Sequence, residues 1–255
     1  MPPVEDREPG AGLFDQLYGA DEGPPWDIGS WQPELCSSLW QVGEVIGPRV
    51  LDVGCGTGDN AVLLAMNGFH VIAFDFHEAA VKMSRERLAA AGELRGSVQV
   101  ILADVFKLTD VPEIGGAKFD TAVDSAVMHC IGDDDAQARY VAALAGVVRP
   151  GGHLVLQACS DRNPDPWEGP PRRISEARMR QLLCEDTGWR VDSVRHCLYE
   201  NRMGFKDGSC PAIWVVATRL GEQPEAPPDV SHDGAGESEL RSEGQEPPAK
   251  RRAAG

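Results

Sequence analysis

The sequence predicts an α/β protein built on a doubly wound, seven-stranded and mostly parallel sheet with one antiparallel strand. Three observations carry this. An apolar run from Val50 to Val53 passes straight into glycines at alternate positions, Gly54, Gly56 and Gly58, and then into an apolar helix through Met66. Downstream, short apolar runs that end on an acid alternate with helical patterns, as βα units do. Near the end, Trp189–Cys197 and Ala212–Thr218 read as strands with no helix between them, so the chain there must turn back antiparallel.

Taken in order, residues 1–12 are polar, contain Pro and Gly, and are expected to be disordered. Residues 13–48 form an N-terminal lid and helix: a helical turn over Leu13–Tyr18, a stretch broken by prolines and glycines, then a helix from Glu34 to Ile46 with Leu35, Leu39, Val42 and Ile46 on one face. The broken stretch carries Trp26 and Trp31, which either cover a ligand or pack against the domain. The main domain spans 49–220. After the first strand come His70–Asp75, a helix from Glu78 to Ala91 stopped by Gly92, Val98–Leu102 followed by Asp104, and Phe119–Asp124. Asp133–Asp135 opens a helix that ends by Pro150–Gly152; His153–Ala158 is the fifth strand, and Ser175 caps a helix through Thr187. Residues 221–255 are Pro, Glu, Gly and Ser with almost nothing apolar, a disordered acidic tail; Lys250–Arg252 within it is a targeting patch or a solvated cluster.

The net charge of −16 over 255 residues disfavours nonspecific binding to nucleic acid or to anionic membrane. The tail holds eight acidic and four basic residues, so most of the acidity belongs to the body. Seven scattered cysteines without a C-x-x-C suit reduced thiols in a cytoplasmic protein better than disulfides, and no metal site is expected. No signal layout or membrane-length apolar run is present. A monomer or homodimer is expected.

The glycine loop lies between a strand and a helix N-terminus, the setting of a nucleotide-type site. A dinucleotide fingerprint with Gly54 and Gly56 needs its third glycine at position 59, which is Asp, a like charge where a pyrophosphate would sit. A P-loop is excluded because no Gly-Lys-Ser/Thr follows. Read as Asp52-x-Gly54-x-Gly56-x-Gly58, the stretch closely resembles the first motif of the class I S-adenosylmethionine-dependent methyltransferases, whose cofactor carries no phosphate. The resemblance covers roughly residues 35–219. It implies a Rossmann-like fold, S-adenosyl-L-methionine as cofactor and methyl transfer as the activity.

It also implies roles for the acids at the strand ends. Asp75 corresponds to the acceptor for both ribose hydroxyls, with Phe76 beside it; Asp104 to the acceptor for the adenine amino group, with Val105 or Phe106 against the ring. Gly54 and Gly56 would carry the methionine part, and Asp124 its ammonium. The family's amino-group signature after strand four is replaced by Asp124-Ser-Ala-Val-Met-His129, which weakens a nucleic-acid base as acceptor. His129, with Asp124 in the reacting set, is a base, a substrate hydrogen bond, or a packed histidine. Pro25-Trp-Asp-Ile-Gly29 with Pro33 is similar to the entrance segment of methyltransferases that act on thiols, halides and tellurite, so Tyr18, Trp26 and Trp31 are expected over a small-molecule acceptor, methylated by direct SN2 transfer. A metabolite or protein N/O-methyltransferase and a noncatalytic cofactor-binding scaffold are the alternatives.

Overall fold

The computed structural model describes residues 11–116, 118–164, 171–202 and 208–221. The expectations for residues 1–10, for the tail from 222 onward and for Lys250–Arg252 lie outside these residues. The described residues form seven strands: β1 (Arg49–Val53), β2 (His70–Asp75), β3 (Ser97–Leu102), β4 (Phe119–Ser125), β5 (Val148–Cys159), β6 (Trp189–Glu200) and β7 (Ser209–Arg219). They make one sheet in the order β3-β2-β1-β4-β5-β7-β6. The first five pair in parallel, and β7 runs antiparallel to both β5 and β6. The reversed strand therefore sits one in from the edge, as the missing helix between the last two strands requires.

Helices α1 (Ala11–Tyr18), α2 (Pro33–Ser37), α3 (Asp59–Met66), α4 (Glu78–Ala90), α5 (Pro112–Gly115), α6 (Asp134–Val147) and α7 (Glu176–Leu182) flank the sheet. Because strand side chains alternate, each strand feeds two cores. Leu51, Ala122, Leu154, Leu156 and Val215 join Tyr140 and Leu144 of α6 and Met179 of α7 on one face. Val50, Val71, Ala73, Val155 and Trp214 join Leu35, Leu63, Leu64 and Val81 on the other. After β1 the chain builds outward through β2 and β3, then returns to the opposite side of β1 for β4. Strand order reverses there, leaving a crevice at the carboxyl ends. Val53 is level with Phe74 of β2 and Asp124 of β4, so the glycine loop leaves β1 beside both partners. No helix among the described residues is long and apolar enough to cross a membrane.

Three local expectations need correction. The helix expected over Glu34–Ile46 is α2 followed by a π-helical turn, Ser38–Val42, that stops at Gly43 in the left-handed region (φ 68°). The cause is Glu44, which is buried with its carboxylate on both terminal nitrogens of Arg195 (2.6 and 3.0 Å) and on Trp214 Nε1 (2.9 Å). Ile46 therefore lies outside the helix and exchanges two hydrogen bonds with the Thr121 hydroxyl. Gly92 is no helix cap: α4 ends on Ala91 in an extended conformation (φ −65°, ψ 145°), which needs no glycine. Finally, β5 starts at Val148 rather than His153. Val148 pairs with Phe119 before a register shift, so the Pro150–Gly152 turn interrupts the ladder without ending it.

Candidate functional site

The loop between β1 and α3 is shaped by what crowds it. A Cβ on Gly54 would lie 2.4 Å from Val127 Cγ2, and one on Gly58 2.4 Å from Ser84 Oγ; both residues have positive φ, so only glycine fits. Gly56 faces a different neighbour: its Cβ position is 3.5 Å from Trp26 Nε1 and 3.8 Å from the Tyr18 hydroxyl. The N-terminal segment thus lies directly over the loop. Asp59, which opens α3, is held by Arg87 Nη1 at 2.8 Å.

Three buried carboxylates converge here. Asp75 accepts from Gly56 N–H (3.0 Å) and His77 N–H (2.9 Å), one on each oxygen. Asp124 accepts from the Tyr140 hydroxyl (2.7 Å), Val127 N–H (2.7 Å) and Met128 N–H (3.1 Å). Asp52 is 1% exposed, and among the described residues its Oδ2 has no hydrogen-bond partner. Burial, then the charges of Asp75 and Asp124, push the Asp52 carboxyl up to about 8. Burial raises Asp124 to about 6 against the pull of its donors, and it raises Asp75 as well. The result is a cluster of three buried carboxylates in which, among the described residues, the Asp52 Oδ2 is left without a partner.

Asp104 follows β3 and caps a short 3-10 turn, accepting from Phe106 N–H at 2.9 Å. Val105 and Phe106 are half-buried, and Arg139 stacks over the Phe106 ring at 5.1 Å. Phe76, beside Asp75, is 51% exposed and meets Phe14 edge-on at 5.2 Å.

The N-terminal segment expected as a lid carries an aromatic cluster fixed at several points. Trp26 contacts Tyr18 (5.5 Å) and Phe14 (5.8 Å), and Tyr18 stacks on His77 (4.8 Å). Asp15 of α1 pairs with His77 Nε2 at 3.0 Å. Arg87 of α4 reaches Asp27 at 3.1 Å while holding Asp59, so one guanidinium ties this segment to the start of α3. The Gln32 side chain exchanges two hydrogen bonds with the Glu200 backbone, and Arg202 donates to the carbonyls of Pro24 and Pro25. Trp31 is not part of this cluster. It packs on the core behind α3, beside Val62 and Arg87, so the structure separates it from Tyr18 and Trp26.

His129 is 4% exposed, and its Nδ1 accepts from Cys159 N–H at 2.9 Å. That bond places the ring proton on Nε2, and burial lowers the imidazole to about 4. Its ring meets Tyr199 edge-on at 6.1 Å. Tyr199, Cys159 and Cys210 form a small apolar cluster on which Trp26 rests. Sequence reasoning missed these three, as well as Arg87, Gln32 and Tyr140. They act across long sequence separations and belong to no motif.

Residues 50–152 match a family described as methyltransferase domain. The 2-heptyl-1-hydroxyquinolin-4(1H)-one methyltransferase of Mycobacteroides abscessus is 29% identical over 188 residues, covering 72% of this chain and 77% of that protein. A probable thiol methyltransferase of Arabidopsis thaliana is 26% identical over 161 residues, covering 62% and 66%. The solved structure described as "Conversion of a Disulfide Bond into a Thioacetal Group during Echinomycin Biosynthesis" superposes with a TM-score of 0.66 at 28% identity, covering 78% of this chain and 86% of that one. Other relatives are named for quinone, porphyrin and glycine acceptors, so kinship does not choose the acceptor. The matched segment, the strand order and the glycine loop ringed by buried carboxylates make this chain an S-adenosylmethionine-dependent methyltransferase.

Proposed function

We propose that the chain methylates a small acceptor that arrives already ionised, a thiol or an acidic hydroxyl on an apolar body. The residues around the glycine loop fit the cofactor on this structure's own terms. Gly56 has positive φ and presents bare backbone beneath the Tyr18–Trp26 pair, and the orphaned Asp52 oxygen lies among buried carboxylates whose charge a cation would relieve. Gly54 and Gly56 would hold the methionine part, Asp75 the ribose diol through its remaining lone pairs, and Asp104 with Val105 and Phe106 the adenine. When bound, the sulfonium supplies a methyl group with its leaving group already attached, so the protein's part is alignment and exclusion of water.

The observation that carries the acceptor class is that, among the described residues, the groups around Trp26 are already committed: His77, stacked on Tyr18, is paired through Nε2 with Asp15. His129 is neutral with Nδ1 occupied, which leaves Nε2–H as a donor. The hydroxyls of Tyr18 and Tyr199 are pushed far up by burial, and the Cys130 thiol to about 12. Asp124 is engaged by three donors. Hence His129 serves as a hydrogen-bond donor or as packing, and the acceptor must lose its proton before it enters. Tyr18 and Trp26 close the acceptor side; Trp31 does not. We further propose a cytoplasmic monomer or homodimer with the body at 49–220 and the lid within 13–48. All seven cysteines are free thiols, which suits a reducing compartment.

The test is methyl transfer from labelled S-adenosylmethionine to a panel of thiols, N-hydroxy heteroaromatics, phenols and amines. Within each active class, kcat/KM should rise with pH up to the acceptor's own pKa. A preference for amines, or a pH profile that breaks at one enzyme pKa whatever the acceptor, would overturn the proposal.

A further inference from the structure

Cys159, at the end of β5, and Cys210, in β7, hold their sulfurs 3.6 Å apart, and the residues are only 3% and 1% exposed. Cys159 is level with Ala212, and Ser160 N–H donates to Pro211 C=O, so the two cysteines lie diagonally across an antiparallel pair on one sheet face. Their cluster, with Tyr199 and Ala212, is separate from both main cores and has Trp26 packed against it. Cys159 also donates its backbone N–H to His129. Either sulfur can donate in this contact, which lowers the Cys210 thiol and raises that of Cys159 and so favours Cys210 as the attacking sulfur.

We propose that Cys159 and Cys210 form a thiol–disulfide exchange site beneath the Trp26 lid, taking small-molecule disulfides as its substrate class. The Cys210 thiolate attacks one sulfur of RS–SR; the S–S bond breaks and one thiolate leaves. Cys159 then gives up its proton, its sulfur attacks Cys210 Sγ, and the second thiolate leaves. The protein's two thiols are oxidised to a disulfide, the small disulfide is reduced to two thiols, and both protons end on the released thiols. Bond closure draws the sulfurs from 3.6 Å to about 2.05 Å, which shifts the ends of β5 and β7 under Trp26. The exchange chemistry rests on the pair's geometry alone; its effect on methyl transfer rests on the lid proposed above.

Full-length reduced protein is incubated with bis(2-hydroxyethyl) disulfide, alkylated after denaturation and mapped by mass spectrometry. A Cys159–Cys210 disulfide should form, with intact mass lower by about 2 Da, while the other cysteines stay alkylatable. Cys159→Ser should arrest the reaction as a mixed disulfide on Cys210, and Cys210→Ser should abolish it. Methyl transfer to a non-thiol acceptor should fall roughly fivefold or more on oxidation and recover with dithiothreitol. Recovery of every thiol in the wild type, or oxidation at Cys36, Cys184 or Cys197 instead, overturns the exchange site, and this count does not depend on any variant folding. A disulfide that forms without changing transfer overturns only the coupling to the lid.

Discussion

Asp52→Asn tests the electrostatic design of the carboxylate cluster directly. Asp52 is buried with an unpartnered Oδ2, and burial plus the charges of Asp75 and Asp124 push it to about 8. A carboxyl with that pKa is ionised in about 3% of molecules at pH 6.5 and about 76% at pH 8.5. A cationic ligand favours the ionised form, so apparent cofactor affinity should follow that fraction and rise by up to about 25-fold across the interval. The cofactor's amino group titrates near pH ~8 as well, and Asp52→Asn retains only that dependence. The quantity to measure is therefore the ratio of wild-type to variant Kd, by calorimetry at both pH values. Stability gives an independent readout. The folded pKa of Asp52 lies above its unfolded value, so between about pH 4 and 8 the native state holds a proton that the unfolded chain has lost, and stability falls as pH rises. The melting temperature of Asp52→Asn relative to wild type should accordingly climb from pH 6 to pH 9. A constant Kd ratio together with a constant difference in melting temperature would refute the reasoning, since Asp52 would then be ionised throughout.

Two further outcomes follow from the lid. Trp26→Ala removes a half-buried ring that touches Phe14, Tyr18 and the Cys159 cluster; it should cost less than the ~3–5 kcal/mol of a fully buried tryptophan, yet lower kcat/KM by more than about tenfold while cofactor affinity falls less, as denaturant unfolding and cofactor titration on one preparation will show. Arg87→Met leaves Asp27 and Asp59 facing each other without their shared cation; a loss of about 1–2 kcal/mol and a raised acceptor KM are expected, with Arg87→Lys intermediate because a single ammonium cannot fork to both carboxylates, and equal kinetics for all three proteins would remove Arg87 from the lid.

The contrast between what the sequence shows and what it hides follows from the range of the interactions. Strands β1, β2 and β4 and the acids at their ends were legible because a buried parallel strand must be apolar throughout and a ligand site must be polar where it stops. The glycine loop was legible because Gly54 and Gly58 have no steric alternative. The helix at 34–46 was misread because its period continues through Ile46, while the chain is turned at Gly43 by an ion pair to Arg195, on a strand far away in sequence. No local pattern encodes that pair. The aromatic lid shows the same limit at the site. Its composition announced that rings must cover something, and Tyr18 and Trp26 do lie over Gly56. Trp31, with the same flanking prolines and glycines, goes behind α3 instead. Gln32 bonds the Glu200 backbone and Arg87 joins Asp27 to Asp59, so the segment that carries both tryptophans is held by polar contacts to β6 and α4 that no local pattern encodes. The cofactor motif by itself leaves the acceptor open, and the relatives of this chain are named for acceptors as different as a hydroxyquinolone and a thiol.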